Sequence, residues 1–575
     1  MPTLLSTFCQ RHSFSAAFFF ICVLAVLLRF LALEDIPNGL YQDETAIGYN
    51  AYSILQTGKD EWGKLFPLYF KSFGDYKLPV YIYLDVLAVK LFGLTEFAVR
   101  LPSAVFGVGS VLVLYFLVKE LTKDKKLALV AMLLMAVNPW HLHYSRATFE
   151  VSISLFLFLL GTFLLQKAFS KKNLIMFLGG TFCFILDIYT YNLTRLLSPL
   201  LYLLVLWYNR DQLKTYQKRD YLLTIIFSAI CLTPLFLSLF DKGGINSAKG
   251  TLIFSSQSVL ASLLEFRGYF VNLPTIVNKL VFNNLFLTLW QLVKNLISYF
   301  SVDFYFIKGS THGNHGIGTA GQFYLFEFIT ISLGVFWTIV KKYSWGQLLA
   351  FWFLLVAGVA SLTREAPHAT RSFFLLFPLL IFSAQGFLVL WEKLIKLKKP
   401  LIKLTIGSVF SIFIFFNLVY YFGSYYLRFP VSYASSWKYN DREVMKYINK
   451  VVNDYDEIFF SENSGFVYTS YLFYNSVDPQ VFQNSVLREP DDVEGFSKVL
   501  KFGKVNFKKI NWQKDSTRPP KRLFIVKEQE KIEGVNPLQT FYLPKRPVVI
   551  SVKEQIFQYP VEEVAYYVYE SPEQK

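Results

Sequence analysis

The sequence predicts a mainly α, polytopic membrane protein of about eleven transmembrane helices, followed by a small extracytoplasmic α/β domain. Three observations carry this. Of the 575 residues, 54% are hydrophobic and only 17% charged, against about 25% charged in an ordinary soluble domain. Apolar runs long enough to enter a bilayer recur through the first three-quarters of the chain. The net charge of +16 is uneven: residues 428–575 hold 21 basic and 20 acidic residues, whereas residues 1–427 hold 36 and 21. A basic excess beside apolar runs is a topology signal and fits anionic lipid rather than nucleic acid.

The first run, 14–33, follows Arg11 and lacks a small-residue cleavage site, so it reads as a span rather than a signal peptide. The others are 97–118, 127–140, 151–169, 174–191, 196–208, 221–240, 323–340, 347–362, 372–391 and 404–422. Residues 80–92 form a shorter run carrying Asp85 and Lys90. Leaving it out puts the basic loops 119–126, 170–173, 209–220, 341–344 and 392–403 on the side of the N-terminus, as the positive-inside rule asks. It is therefore expected to lie in the outer interface as an amphipathic helix. The expected location is the plasma membrane, with a cytoplasmic N-terminus and an extracytoplasmic C-terminal domain.

The expected division is a transmembrane domain over 1–427 and a soluble domain over 428–575. Strands are expected at 457–461, 522–526 and 565–569, and a helix at 466–474 before the breaker Asp478-Pro479. Cys9, Cys22, Cys183 and Cys231 lie at the N-terminus or in apolar runs, which argues against disulfides or a cysteine metal site. No repeat and no dinucleotide fingerprint occurs.

With this topology the outer face receives the loops 34–96, 141–150, 192–195, 241–322 and 363–371, and the tail. Long loops are where function concentrates. The first opens with Tyr41-Gln42-Asp43-Glu44. Adjacent carboxylates at a membrane surface are costly if buried unpaired. Asp43 is a candidate general base at the water–lipid boundary, or else the N-cap of a helix starting at Glu44. Lys77, within Gly74-Asp75-Tyr76-Lys77-Leu78-Pro79, can hold a phosphate as a point charge or snorkel to lipid. Arg146 and Glu150 are four apart, the spacing of a shared helix face. Arg195 sits at a tight turn, His315 in a Gly-rich loop, and His368 and Arg371 in the 363–371 loop. His141 and His143, at i and i+2, are weak as metal ligands. Lys77, Arg146, Arg195, His368 and Arg371 thus share one side with a carboxylate pair, which suits an anionic lipid phosphate beside a base.

These residues give the resemblance. Asp43-Glu44 after the first span, Tyr76-Lys77-Leu78-Pro79, Gly93 through Pro102, and Ser145-Arg146 to Glu150 resemble the glycosyltransferase C-type superfamily. Within it the chain looks most like the protein O-mannosyltransferase and aminoarabinose-transferase group. Aminoarabinose transferases usually show Lys-Pro-Pro at 77–79 and Asp at the position of Glu150. The resemblance implies a membrane glycosyltransferase moving a sugar from a polyprenyl-phosphate carrier to an outer-face acceptor, on protein, lipid or envelope glycan. It implies Asp43 as the catalytic acid residue with Glu44 beside it, Lys77 and Arg146 near the donor phosphate, and Glu150 as a second acid. Arg371 is added to the phosphate-binding set, and Arg195, His315 and His368 to the further candidates, on topology.

The chemistry fits independently. Lipid phosphate is a good leaving group, and positioned cations stabilise it. No cofactor is required, a divalent metal is not demanded, and no nucleic acid is expected as a partner. The competing classes are a lipid or sugar transporter and an inactive scaffold. Transporters gather charges at the bilayer midplane and often carry repeats; here the charges gather in outer loops, with Asp187 as the exception.

Overall fold

The computed structural model describes residues 2–73, 76–238, 264–265, 267–270, 274–310, 312–461, 466–491, 497–516, 520–552 and 555–572. Gly74 and Asp75, and much of the first part of the expected 241–322 loop, lie outside them. The chain is mostly helical, and a helix lies on each of the eleven apolar runs. Among the described residues, six helices are long and apolar enough to cross a membrane: Glu96–Thr122, Glu150–Lys171, Lys218–Leu237, Ser344–Ser361, Phe373–Ile395 and Pro400–Ser432. Four shorter apolar helices are Phe14–Phe30, Leu174–Ile188, Thr194–Tyr208 and Leu325–Val340. The remaining run, 127–140, carries helix Lys125–Val137, of 13 residues.

Two compact units result. One comprises Met1–Leu31, Ser103–Ser145 and Phe149–Tyr421; the other comprises Ala32–Pro102, Arg146–Thr148 and Phe422–Lys575. In the first unit, polar side chains set the helix ends. Asp124 accepts from the backbone N–H of Lys126 (2.7 Å) and Leu127 (3.2 Å), and Asn173 from that of Met176 (3.0 Å). Helices Leu325–Val340 and Leu376–Ile395 approach so closely that a Cβ on Gly334 would strike the Phe382 carbonyl, and one on Gly386 the Thr330 carbonyl. Small residues permit such contact where no water drives helices together. Glu327 is buried in the same seam and accepts from Ser383 Oγ at 3.1 Å.

The second unit is built on a seven-stranded mixed sheet. Its strands are β3 (Glu457–Ser461), β4 (Leu487–Arg488), β5 (Val499–Phe502), β6 (Val505–Lys508), β7 (Arg522–Val526), β8 (Gln539–Tyr542) and β11 (Val564–Glu570), in the order 4-5-6-3-7-11-8. Central β3 runs parallel to β6 and β7, and β11 runs antiparallel to β7 and β8. β3 and β7 are buried along four of their five residues, the near-continuous apolar run that parallel strands show. β9 (Arg546–Val552) and β10 (Gln555–Val561) form a separate hairpin, and β1 (Phe70–Lys71) pairs with β2 (Tyr76–Lys77). The expected breaker Asp478-Pro479 starts a new helix instead. Asp478 caps Pro479–Ser485 by accepting from Gln480 N–H (2.7 Å) and Val481 N–H (3.1 Å), with Pro at the first helical position where its missing N–H costs nothing.

The segment after the first apolar run belongs to this unit. Helix Gln42–Thr57 shares a core with the tail: Ala46, Tyr49 and Phe73 pack with Tyr468, Leu472, Phe482 and Val499. Thr45 Oγ1 lies 2.8 Å from Thr469 Oγ1. Helix Pro79–Phe92 packs on helix Gln42–Thr57 and has 14 residues, about 21 Å of length against the roughly 30 Å of a hydrocarbon core.

The same core holds a buried carboxyl, Glu61, whose backbone N–H donates to Asn50 Oδ1 at 3.0 Å. Arg488 Nη2 donates to the Glu61 carbonyl at 3.1 Å, and its guanidinium lies 3.9 Å from the Trp62 ring. Burial pushes the Glu61 carboxyl up to about 7 against an ordinary 4.5, with Arg488 opposing and Asp60 adding to the rise. An acid raised in the folded state favours its protonated form there, so its stabilisation is present below about pH 4.5 and lost as pH rises through 7. Glu61→Gln should flatten this part of the pH dependence, worth about 3 kcal/mol at most. Thermal unfolding of both proteins between pH 4.5 and 8 checks it. An unchanged slope in the variant would remove Glu61 from the pH response.

Candidate active site

Asp43 and Glu44 are the second and third residues of helix Gln42–Thr57. Acids in a first turn are favoured by the partial positive charge of the helix N-terminus. Asp43 is not the cap. The helix starts two residues earlier than the capping alternative required, Tyr41 is the N-cap residue, and Glu44 Oε2 accepts from Tyr41 N–H at 3.3 Å. Asp43 instead accepts from Lys77, with Nζ 2.7 Å from Oδ1. The Asp43 side chain is 33% exposed and the Lys77 side chain 6%. Lys77 is fixed by the β1–β2 pairing, by the Phe73 ring 5.6 Å from its ammonium, and by helix Pro79–Phe92, which begins two residues later with Pro at its first position.

Glu44 has no exposed surface. Arg100 Nε donates to its Oε1 at 3.0 Å and Nη2 to its Oε2 at 3.2 Å. The backbone N–H and hydroxyl of Thr148 both donate to Oε1 at 3.0 Å. Arg100 also reaches the carbonyls of Leu33 (3.0 Å), Glu34 (3.2 Å), Pro37 (2.8 Å) and Gly39. The pair is thus a hydrogen-bonded hub that folds the backbone of 33–39 around one guanidinium. Sequence reasoning missed Arg100, although it lies in the stretch Gly93 through Pro102. The available signal was an arginine entering an apolar run, which requires a partner of opposite charge.

Arg146 is likewise fully buried. Its Nη2 donates to the carbonyls of Ala32 and Ile36, both at 3.0 Å, and its guanidinium lies 5.8 and 5.5 Å from the Tyr425 and Tyr426 rings. Residues 145–148 form turns and the next helix begins at Glu150. Arg146 and Glu150 therefore do not share a helix face: the chain between them is not helical.

The remaining candidates lie in the first unit. Glu150 opens helix Glu150–Lys171, and Arg195 stands in the first turn of Thr194–Tyr208. His315 and His368 have ring centres 4.9 Å apart, with His312 6.0 and 6.2 Å from them. Thr370 Oγ1 lies 3.1 Å from His315 Nδ1 and 2.8 Å from the Tyr144 hydroxyl. Burial pushes His368 down to about 2, with Arg371, His315 and His312 adding to the fall. Arg371 Nη1 reaches the Glu365 carbonyl at 3.4 Å. Among the described residues, no three His, Cys, Asp or Glu side chains are grouped to hold a metal ion.

Asp43, Glu44, Lys77 and Arg146 are thus in one unit, and Glu150, Arg195, His315, His368 and Arg371 in the other. The first group is a partly exposed carboxylate hydrogen-bonded to a nearly buried ammonium, beside a rigid buried ion pair. Such a pair can take a proton and hold an anion at adjacent atoms.

Residues 77–237 match the family model for dolichyl-phosphate-mannose-protein mannosyltransferase. The chain is 31% identical over 163 residues to "Putative mannosyltransferase YkcB" of Bacillus subtilis, a stretch covering 28% of this chain and 22% of that protein. It is 30% identical over 145 residues to "Putative mannosyltransferase YycA" of the same organism, covering 24% and 20%. The match therefore spans about a fifth of these relatives' length. In fold the chain is similar to ArnT from Cupriavidus metallidurans bound to undecaprenyl phosphate, with a TM-score of 0.54, 10% identity, and coverage of 96% of this chain and 98% of that one. It is also similar to the oligosaccharyltransferase AglB from Archaeoglobus fulgidus, in complex with an inhibitory peptide and a dolichol-phosphate: TM-score 0.50, 12% identity, covering 82% and 64%. The chain has the glycosyltransferase C-type fold, and over residues 77–237 it carries the sequence pattern of the dolichyl-phosphate-mannose-protein mannosyltransferase family.

Proposed function

We propose that this protein transfers a hexose, mannose or aminoarabinose-like sugar from a polyprenyl-phosphate carrier to an acceptor on the outer face of the plasma membrane. The acceptor is a protein, a lipid or an envelope glycan. In this reading the N-terminus is cytoplasmic and the site and C-terminal domain are extracytoplasmic. The observation that carries it is the 2.7 Å contact between Lys77 Nζ and Asp43 Oδ1. Before donor arrives, Lys77 compensates the carboxylate. When the lipid phosphate enters, the ammonium turns part of its hydrogen bonding to a phosphate oxygen, as a point charge with three donors can. Asp43 takes the proton of the acceptor hydroxyl or amine as that atom attacks the anomeric carbon. The bond from that carbon to the phosphate oxygen breaks with inversion, and its electron pair leaves on the phosphate, where Lys77 stabilises it. Arg146 and the Glu44–Arg100 pair act as positioning groups. The step asks for no cofactor, because a carboxylate and fixed cations supply its acid–base and electrostatic needs. The polyprenyl-phosphate ligands of ArnT and AglB support the donor class.

Lys77→Ala tests the phosphate contact. Donor affinity should fall by about 30-fold or more, the usual scale for removing one partner of a desolvated charge contact. Binding of polyprenyl-phosphate mannose to detergent-solubilised protein measures it, with thermal unfolding as the folding control. Unchanged affinity in a folded variant would confine Lys77 to supporting Asp43.

A further inference from the structure

A polar cleft of about 170 Å³ opens in the second unit, lined by Lys438, Asn440, Asp441, Lys527, Gln529 and Tyr566 among others. Four segments build it: the turn before helix Asp441–Val451, the turn after β7, Leu543 directly after β8, and the start of β11. Its walls are set by hydrogen bonds. Asp441 is 1% exposed and accepts from Ser470 Oγ at 2.6 Å and from the Tyr566 hydroxyl at 2.8 Å. Asn440 Nδ2 donates to the Tyr542 carbonyl at 2.8 Å. The Tyr439 N–H donates to the Ala434 carbonyl and that of Asp441 to the Lys438 carbonyl, both at 3.0 Å, holding Lys438 in the left-handed region at φ 51°.

The cleft abuts the chain leading into Asp43. The buried Trp437 ring meets Tyr41 edge-on with centres 5.2 Å apart, and a Cβ on Gly39 would collide with the backbone of Trp437 and Tyr439. Gly39 has φ +100°, so glycine is needed there twice over. Burial pulls the Lys438 ammonium below the usual lysine range, while Asp441 and Asp43 oppose the fall and Lys527 adds to it.

The lining alternates in sign. Lys438 and Lys527 supply ammonium donors, Glu528 and Glu563 carboxylate acceptors, Gln529 an amide with both, and Tyr439 and Tyr566 ring surfaces. Glu563 is paired with Arg546, and Lys527 lies 5.7 Å from the Tyr566 ring. A cleft of one sign would select an ion. Interleaved donors and acceptors with ring faces suit a neutral ligand bearing many hydroxyls, each able to donate and accept.

We propose that this cleft binds a carbohydrate, presenting hydroxyl groups to Lys438, Lys527, Glu528 and Gln529 next to the Asp43 segment. Two sources share that chemistry: the sugar of the lipid-linked donor and a glycan acceptor. The choice between them rests on the transferase reading above; the binding itself does not.

The test uses the full chain in detergent and saturation-transfer NMR, with methyl α-mannopyranoside and methyl β-N-acetylglucosaminide as probes. At least one glycoside should bind, and Lys438→Met should weaken it by about 10-fold, as loss of one charge-assisted hydrogen bond does. Gln529→Ala at the cleft rim gives a second measurement should Lys438→Met fail to fold. In transfer assays from polyprenyl-phosphate mannose to a glycan acceptor, a raised acceptor KM in the variants assigns the cleft to the acceptor, and a raised donor KM to the donor sugar. Glycoside binding without any transfer would keep the cleft and sink the transferase reading. Transfer that proceeds while both folded variants bind glycosides normally, or while neither glycoside binds the unaltered protein, overturns the cleft.

Discussion

Asp43→Asn is expected to lower sugar transfer by about 100-fold or more, the usual scale of general-base catalysis, with donor binding kept. Asparagine preserves the shape of the side chain and an oxygen for Lys77 Nζ, which stands 2.7 Å from Asp43 Oδ1. It loses the capacity to take the acceptor proton. The adjacent carboxyl supplies an internal contrast. Glu44 has no exposed surface and is held by Arg100 and Thr148, so Glu44→Gln should show first in thermal unfolding. Single-turnover transfer from polyprenyl-phosphate mannose, alongside donor titration and a pH–rate profile, separates the two. Near-normal turnover in Asp43→Asn with an unchanged pH profile would remove Asp43 from the proton-transfer step and leave Glu150 as the next carboxyl to test.

What could be read in advance depended on how local each cause was. The apolar runs announced their helices because a bilayer demands length and apolarity from one contiguous segment. β3 and β7 were legible, bounds included, because strands buried on both faces read as short apolar runs between breakers. Strands such as β4, with two residues, and β8, half exposed, carry too little pattern to stand out. Helix Asp441–Val451 was missed for another reason: its apolar face of Val444, Met445 and Ile448 is interleaved with six polar and charged positions. Asp43 and Lys77 were each singled out, yet only the fold shows that they touch across 34 residues. Glu44 and Arg100 are 56 apart, and no periodicity relates them. The tail's share in the same core as helix Gln42–Thr57 was invisible for the same reason. Lys438 passed unnoticed because its setting comes from four segments, most of them far from it in the chain.

Arg100→Met should be the most damaging single change to the second unit. Both members of the Glu44–Arg100 pair are fully buried. Charges taken out of water are stable only while their partners and hydrogen bonds remain, and removing one partner of such a pair costs about 3–5 kcal/mol. Here the loss goes further than the pair. Four backbone carbonyls, of Leu33, Glu34, Pro37 and Gly39, lose their donors, and buried acceptors left unpaired add to the cost. Those residues lead directly into Tyr41 and Asp43, so the variant should also lose activity at temperatures where it remains folded. Glu44→Gln combined with Arg100→Met relieves the uncompensated charge but restores none of the carbonyl donors. The double variant should therefore unfold at a higher temperature than Arg100→Met alone and still below the unaltered protein. Tryptophan fluorescence during thermal unfolding in detergent, with limited proteolysis of 32–41 as a local probe, reads both effects. An Arg100→Met protein that melts like the parent would show that the pair contributes no net stability, and the link from Arg100 to the geometry of Asp43 would fall with it.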